Sequence, residues 1–579
     1  MAKKFLFFAL SFLFSPTLFA QTEDRLDDHI EDWSQLLHHG RYISENSQFY
    51  LSSEYDPKKE WELSLKELNQ KSSWICKFPA RAYLISMAIK KSPPSYSHCE
   101  DFLSFQKRAP ADQVSIVYVS EKMQSPESGF GHSFLKIAGN DLSHTFSFWT
   151  KMNDVDPLSL ILKTFITGKK GYFTMAPFSE TSSYYIEKEG RNLWEYQLEL
   201  TQRQKTLLYF HLYELKNTNF QYLFHGHNCS TLIREILKVA YPDFSPGHLW
   251  ATPKDVIKEL HYSKKIDKTI QHIGHNSFIR VLNKNLQTTT QDRETIKDLK
   301  LPSLEGHSVE KTALYYHLAK EYTAYEYSSG HISYAKYKSA VKDINKRVSA
   351  EARDFQITIP DDSNPLHSQQ DSQINLSYHQ IDNHHYYGLG FLPVSHKLHN
   401  LNLNYESEFQ LGGFNLLKNV SNEEYLLQEF NILKIKVYQD YDPLIGGTSF
   451  QFDFGVKQIL NRDFRFTEGL RAQFGLGRTY SLFNDLDLFA LTHLESFKDN
   501  DHSFLREKFQ FGLIIREIYN MKSIIDFQIN SPFSEKRIYD LDFIQSFNFK
   551  NINLNTQLNF NWQNGIQKNS YSLNTAFLF

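Results

Sequence analysis

Through roughly the last two hundred residues, apolar and polar side chains alternate with a period of two in segments of about ten residues. The pattern is clear in Ile374, Leu376 and Tyr378, in Leu401, Leu403 and Tyr405, and in Phe450, Phe452, Phe454 and Val456. It continues in Phe509, Phe511 and Leu513, in Ile552, Leu554, Leu558, Phe560 and Trp562, and in Tyr571, Leu573, Thr575 and Phe577, ending on Phe579. A strand with one lipid-facing row and one polar row satisfies its backbone in a membrane only if the sheet closes. A soluble sandwich with one wet face shares the period. The unusually aromatic outer rows favour the barrel, and no run of eighteen or more apolar residues offers a helical span. Breaks near Asn383, Lys397, Asn419, Pro443, Asn461, Asn484, Asn500, Asn520, Pro532, Lys550 and Gly565 divide the segment into about twelve strands. Asp453, Lys457, Glu468 and Arg471 are read as lumen-facing, in a lumen narrow enough to be filled by side chains or by an element of the chain itself.

Both ends of the chain fit export to the outer membrane. A terminal aromatic on an alternating strand resembles the sorting signal of bacterial outer-membrane barrels, which implies the insertion machinery as a partner and outer-membrane lipid as surroundings. At the other end, Lys3 and Lys4, an apolar run from Phe5 to Phe14, and Ala20 before Gln21 read as a secretory signal over residues 1–20. An even strand count places both barrel ends on one side, so the domains ahead of the barrel are expected in the periplasm. The formal charge of -3 and the lack of a basic tract give no case for nucleic acid.

An oxidising compartment gives the three cysteines meaning. Cys76 and Cys99, flanking a helical pattern from Ala80 to Lys90, are expected to form a disulfide. Residues 21–111 read as an α-rich module around that bond, beginning with the amphipathic Leu26, Ile30, Trp33 and Leu37. A mixed α/β domain follows over 112–280, opening on the strand Val114 to Val119. Residues 281–366 read as a helical spacer, with a linker at Pro360 to Pro365, and 367–579 as the barrel.

That leaves Cys229, in His227-Asn228-Cys229-Ser230-Thr231, ahead of Leu232, Ile233, Ile236 and Leu237 at helical spacing. A thiol at a helix N-terminus meets N–H groups and a dipole that favour thiolate. Gly129-Phe130-Gly131-His132-Ser133-Phe134 reads as a glycine turn entering a strand with a histidine at its mouth. Cysteine and histidine together supply a nucleophile and a base for acyl transfer. The chain holds 24 histidines, so the pair is only moderately specific. His225, His227 and Cys229 form H-x-H-x-C, a rival set of zinc ligands, with no second cluster to complete it.

Gly131-His132-Ser133-Phe134-Leu135, Gly190-Arg191-Asn192-Leu193-Trp194, Glu195-Tyr196-Gln197-Leu198, Phe220 to Phe224, Asn228-Cys229-Ser230 and Pro253-Lys254-Asp255 resemble, in order and spacing, the Lnb N-terminal periplasmic domain family, over roughly residues 112 to 260. His227 departs from the family pattern, which usually has an acidic residue there. The histidine-before-cysteine order is similar to circularly permuted papain-like enzymes. The resemblance implies an α+β permuted papain-like domain with Cys229 as nucleophile, His132 as base and the Cys229 N–H as one oxyanion donor. His144 is the candidate orienting residue, by comparison with permuted relatives that use two histidines, with Ser147 and Tyr118 behind it. A two-residue turn at Gly139-Asn140 would set His132 opposite Ser147 and leave the histidines on opposite faces. The expected activity is hydrolysis or transfer of an acyl group on an envelope peptide, lipoprotein or lipid, with no cofactor and no metal. A non-catalytic assembly or recognition protein anchored by its barrel is the second hypothesis, and metal binding through His225, His227 and Cys229 the third.

Overall fold

The computed structural model describes residues 26–41, 49–70, 73–123, 128–150, 167–216, 218–223, 226, 228–244, 251–357, 363–394, 396–402, 406–461, 463–483, 485–500, 503–531, 533 and 536–579. The signal sequence, His225 and His227 lie outside these residues. The chain divides into two compact units, one of residues 1–115, 134–178 and 198–245, the other of residues 116–133, 179–197 and 246–579. Among the described residues, seven strands precede the barrel: β1 (Gln113–Val119), β2 (His132–Gly139), β3 (Leu142–Thr150), β4 (Lys169–Pro177), β5 (Leu193–Leu198), β6 (Asn219–Tyr222) and β7 (Ile266–His272).

In the first unit, β2, β3, β4 and β6 pair antiparallel in that order. The β2–β3 turn is Asn140-Asp141, both at positive φ (47° and 63°), a backbone that Asn and Asp tolerate and that matches strand twist. Helices surround this sheet because Trp33, Leu36, Trp61, Phe102 and Phe105 supply a fully buried apolar set. The disulfide joins Cys76 and Cys99 as expected, with Cα atoms 5.1 Å apart, tying the helix Trp74–Lys77 to the start of Glu100–Arg108.

The barrel has twelve strands: β8 (Gln373–Ile381), β9 (His384–Leu392), β10 (Glu406–Asn419), β11 (Tyr425–Tyr438), β12 (Ser449–Leu460), β13 (Phe466–Phe483), β14 (Leu486–Lys498), β15 (Ser503–Arg516), β16 (Met521–Asn530), β17 (Ile538–Asn548), β18 (Ile552–Gln563) and β19 (Ile566–Leu578). Each pairs antiparallel with the next, and β19 pairs with β8 to close the ring. Of the eleven turn signals, Asn419 is the last residue of β10, Asn484 and Pro532 lie outside the described residues, and the other eight fall in connections between these strands. The outer rows are exposed and apolar, as in Leu470, Phe474, Leu476 and Tyr480, or Leu573 and Phe577. The inner rows are polar, as in Asn553, Asn555, Asn561 and Gln563.

Two assignments are corrected. Glu468 lies on the outer surface in phase with Leu470, since its register partner Gln458 alternates with inward-facing Lys457 and Ile459. Leu401 belongs to no strand; residues 393–405 join β9 to β10, and their described part turns into the lumen. There Leu398 packs among Tyr438, Phe489, Leu491, Ile514 and Ile524. The Lys522 ammonium donates to the carbonyls of Leu398 (3.1 Å) and Asn400 (2.6 Å), and the His399 carbonyl accepts from Ser546 Oγ (2.9 Å) and Asn548 Nδ2 (3.1 Å). A narrow polar lumen leaves backbone groups unsatisfied unless the wall supplies partners, and here the wall supplies them.

The stretch read as a spacer holds the helices Thr290–Lys297, Val309–Ser328, Tyr334–Lys346 and Ala350–Arg353, packed with His275–Leu286. Their core takes in Leu444 and Ile445 of the β11–β12 connection. Arg280 donates to the carbonyl of Gly446 (2.8 Å) and Asn283 to the carboxylate of Asp442 (2.9 Å). This layer is therefore bolted to one barrel end, and strand direction makes it the end at which β8 starts and β19 finishes. No described helix is long and apolar enough to cross a membrane.

Candidate functional site

Cys229 is the first residue of the helix Cys229–Lys238, in the first unit. Asn228 caps it: its side-chain oxygen accepts from the backbone N–H groups of Ser230 and Thr231, both at 2.9 Å, while Thr231 Oγ1 donates to the Asn228 carbonyl. The Asn-Cys-Ser motif is thus a helix start as well as a thiol site. Leu232, Ile233, Ile236 and Leu237 bury the opposite face, and the helix packs on Ile30–Leu36 and on β3. The thiol is part-buried, with Ser230 Oγ 3.8 Å away. Tyr222, on the neighbouring β6, has its phenol pushed up by burial and then by the charge of Cys229.

His132 opens β2 and falls in the second unit. The chain reaches it through Gly131, at φ +78°, whose N–H donates to the Ser128 carbonyl. A Cβ on Gly131 would stand 2.7 Å from the Val119 carbonyl oxygen and 2.8 Å from the Tyr118 ring, so the turn requires glycine. Burial first, and then the Arg191 guanidinium, push the imidazole down to about 4 against the pull of Glu189. His132 is therefore neutral, a proton acceptor, at neutral pH. Arg191 is itself fixed: Nε donates to the Ser120 carbonyl at 2.6 Å and Nη1 to Glu189 at 2.9 Å and to Ser128 Oγ at 3.3 Å. Tyr185 lies 6.2 Å from the imidazole, ring centre to ring centre. These neighbours were not assigned roles from the sequence, although Gly190-Arg191-Asn192 was among the segments carrying the family resemblance.

His144 does not meet the requirement for an orienting residue. The Asn140-Asp141 turn sets Ile137 opposite His144, a register one residue away from the Gly139-Asn140 turn anticipated. His132 is five positions from Ile137 along β2, an odd step, so its side chain alternates to the other face from the Ile137–His144 pair. By the same parity Ser147 shares the His132 face. Tyr118 is buried in β1 with its ring 6.2 Å from Trp194. Among the described residues, the metal-capable cluster of three is Cys76, His98 and Cys99, and its two sulfurs are joined in the disulfide.

A closed twelve-stranded barrel with lipid-facing apolar rows, preceded by an α/β domain, defines an outer-membrane protein with a periplasmic N-terminal part. Residues 101–262 match the model of the Lnb N-terminal periplasmic domain, and residues 362–577 match a domain of unknown function, DUF7840. No curated protein matches the chain. Solved structures similar to it include the KdgM porin in complex with disordered oligogalacturonate (9% identity, 36% of this chain and 99% of that one, TM-score 0.23). The NanC porin has the same identity and TM-score and is covered in full, and a loop-deletion mutant of OmpT from Vibrio cholerae is 6% identical over 36% of this chain and 97% of its own, with a TM-score of 0.19.

Proposed function

We propose that the periplasmic part is a permuted papain-like cysteine hydrolase or acyltransferase acting on an amide or ester of the envelope, carried by a peptide stem, a lipoprotein or a lipid. The observation that carries this reading is Cys229 as the first residue of an Asn-capped helix. Sulfur attacks the acyl carbon, the helix N-terminus stabilises the oxyanion, and the neutral His132 imidazole takes the thiol proton and returns it to the leaving group. Water or an acceptor hydroxyl or amine then releases the thioester. Arg191 disfavours a standing imidazolium, so the proton moves with the attack rather than before it.

The test is alkylation of the full-length protein by iodoacetamide across pH. Cys229 is expected to react about tenfold faster than a model thiol near pH 6.5, and more slowly after His132→Ala. A rate no faster than the model thiol overturns the catalytic reading. The second reading, a recognition module without turnover, is favoured by the same Arg191, because a weakly basic histidine is a poor general base.

A further inference from the structure

In the helical layer, the helix Tyr334–Lys346 sets Tyr334, Lys338, Lys342 and Lys346 four residues apart, so they stack along one of its faces. All four are exposed, while Ile344 and the following Val348 pack into the core of the layer. Like charges one turn apart destabilise a helix, so three lysines in this register cost stability unless an anion lies across them.

The same lysines, with Arg353 of the helix Ala350–Arg353, border a shallow groove of about 530 Å³ that Val341 and Val348 also line. Its size falls within the roughly 300–1,000 Å³ of ligand sites. No carboxylate lines it, and among the described residues none of the four cations forms an ion pair. Over residues 334–354 six Lys and Arg stand against three Asp and Glu, in a chain whose formal charge is -3. The positive charge here is uncompensated and open to the periplasm.

At one end of the groove the chemistry changes. Tyr337, which lines it, stacks on Tyr327 with ring centres 5.0 Å apart and lies 6.3 Å from Tyr334. Tyr334 is 56% exposed and Tyr327 41%, so the trio presents open aromatic faces. Burial first, and then the charges of Glu187 and Glu321, push the Tyr337 phenol up, so this end is acidic. An anionic lipid surface or a uniformly acidic chain would be repelled there. A neutral sugar chain bearing acidic branches suits both ends, with sugar C–H faces on the tyrosines and carboxylates on the lysines. The acidic end also leads to the candidate histidine: Glu187 belongs to the turn Tyr184–Lys188, which packs on the helix Val309–Ser328 and carries Tyr185, 6.2 Å from the His132 ring.

We infer that the tyrosine–lysine groove of the helical layer binds the cell-wall polymer of the periplasm, an uncharged acetylated glycan whose branches are acidic peptides. The sugars lie on Tyr334 and Tyr337, and the peptide carboxylates take up the charge of Lys338, Lys342 and Lys346. That the groove presents this polymer as a substrate to His132 rests on the acyl-transfer reading above. The binding itself does not.

The experiment is co-sedimentation of the full-length protein, in detergent at low salt, with purified peptidoglycan sacculi as probe and chitin as the neutral control. Saturable binding to sacculi is expected, with chitin about tenfold weaker. Lys342→Glu combined with Lys346→Glu should weaken sacculus binding at least about tenfold, and Tyr334→Ala about threefold. A soluble disaccharide-peptide from the same wall should displace the protein at about tenfold lower concentration than its free peptide, and phosphatidylglycerol added to the micelles should not displace it. Unchanged thermal unfolding shows that each variant folds, and Lys342→Gln with Lys346→Gln, which relieves the repulsion, replaces the charge reversal if it does not. No saturable sedimentation, equal binding to chitin, affinity unchanged in the folded variants, or displacement by free peptide or phosphatidylglycerol as effective as by the disaccharide-peptide each overturns the proposal. Failed sedimentation beside a fast-reacting Cys229 removes the groove alone, and a slow-reacting Cys229 beside intact sedimentation removes the acyl chemistry alone.

Discussion

The first unit and the barrel both bury charge, in opposite ways. In the first unit Arg81 is completely buried, clamped between the rings of Phe49 and Phe78, each 4.1 Å from its guanidinium, and its carboxylate partner Glu214 is 3.6 Å away. Glu214 also accepts from the backbone of Ala80 (2.7 Å) and Arg81 (3.0 Å) and abuts His211, which faces His38 at 3.0 Å. In the barrel the comparable carboxylate, Glu495, is ringed by three cations on a polar wall. The core gives its carboxylate a single guanidinium, and burial drives Glu214 up to about 7 despite Arg81. The lumen wall gives Glu495 three cations. The core therefore neutralises charge by protonation, and the lumen by company.

Substitutions separate the two strategies. Glu495→Gln should cost the most, about 3–5 kcal/mol in urea unfolding of the folded barrel, because it leaves Arg471, Arg506 and Lys508 facing one another with no carboxylate between them. A loss under about 1 kcal/mol would show that solvent in the lumen already screens the three cations. Arg81→Met should cost less, about 1–3 kcal/mol, and less at pH 6 than at pH 8, since Glu214 can take up a proton in place of its partner. Equal losses at both pH values would mean that Glu214 keeps its charge in the core.

The smallest effect is the dependence on pH itself. Burial, helped by Arg81, pushes His211 down to about 3, and burial followed by the charge of His211 lowers His38 well below its ordinary value. Both rings are neutral in the fold and protonated in the unfolded chain below about pH 6.5, so their stability contribution is complete above that pH and is lost as pH falls. Glu214 works in the other direction. Its raised value adds stability below about 4.5 that disappears as pH rises through 7. Two histidines outweigh one carboxylate, and the net loss between pH 7 and 5 is expected to be about 1–2 kcal/mol, read from thermal unfolding of the periplasmic part. Glu214→Gln should steepen it, and a stability that rises toward pH 5 would put the carboxylate in control.

The barrel was legible where backbone geometry leaves a local trace. Alternation and turn residues located all twelve strands, while Glu468 and Leu401 misled because a single charged residue or a short apolar alternation does not fix its own phase. Period two separates inside from outside but is silent on which cations meet which carboxylate, so the convergence on Glu495 could not be read. In the periplasmic part the Asn-Cys-Ser start of the Cys229 helix was legible because a cap is a local event. The Arg191 beside His132 was not, being some sixty residues away in sequence, and His144 lies on the opposite face of the β2–β3 ladder from His132, as the anticipated turn would also have placed it.

The segment between β9 and β10 has a mechanical meaning as well. It leaves the wall at one side of the ring, and its carbonyls are held by Lys522 of β16 and by Ser546 and Asn548 of β17, about half a circumference away. It is a strut across the cross-section. Lateral pressure in a bilayer that would flatten an empty ring must first break these bonds, so the girth of the barrel is set from within.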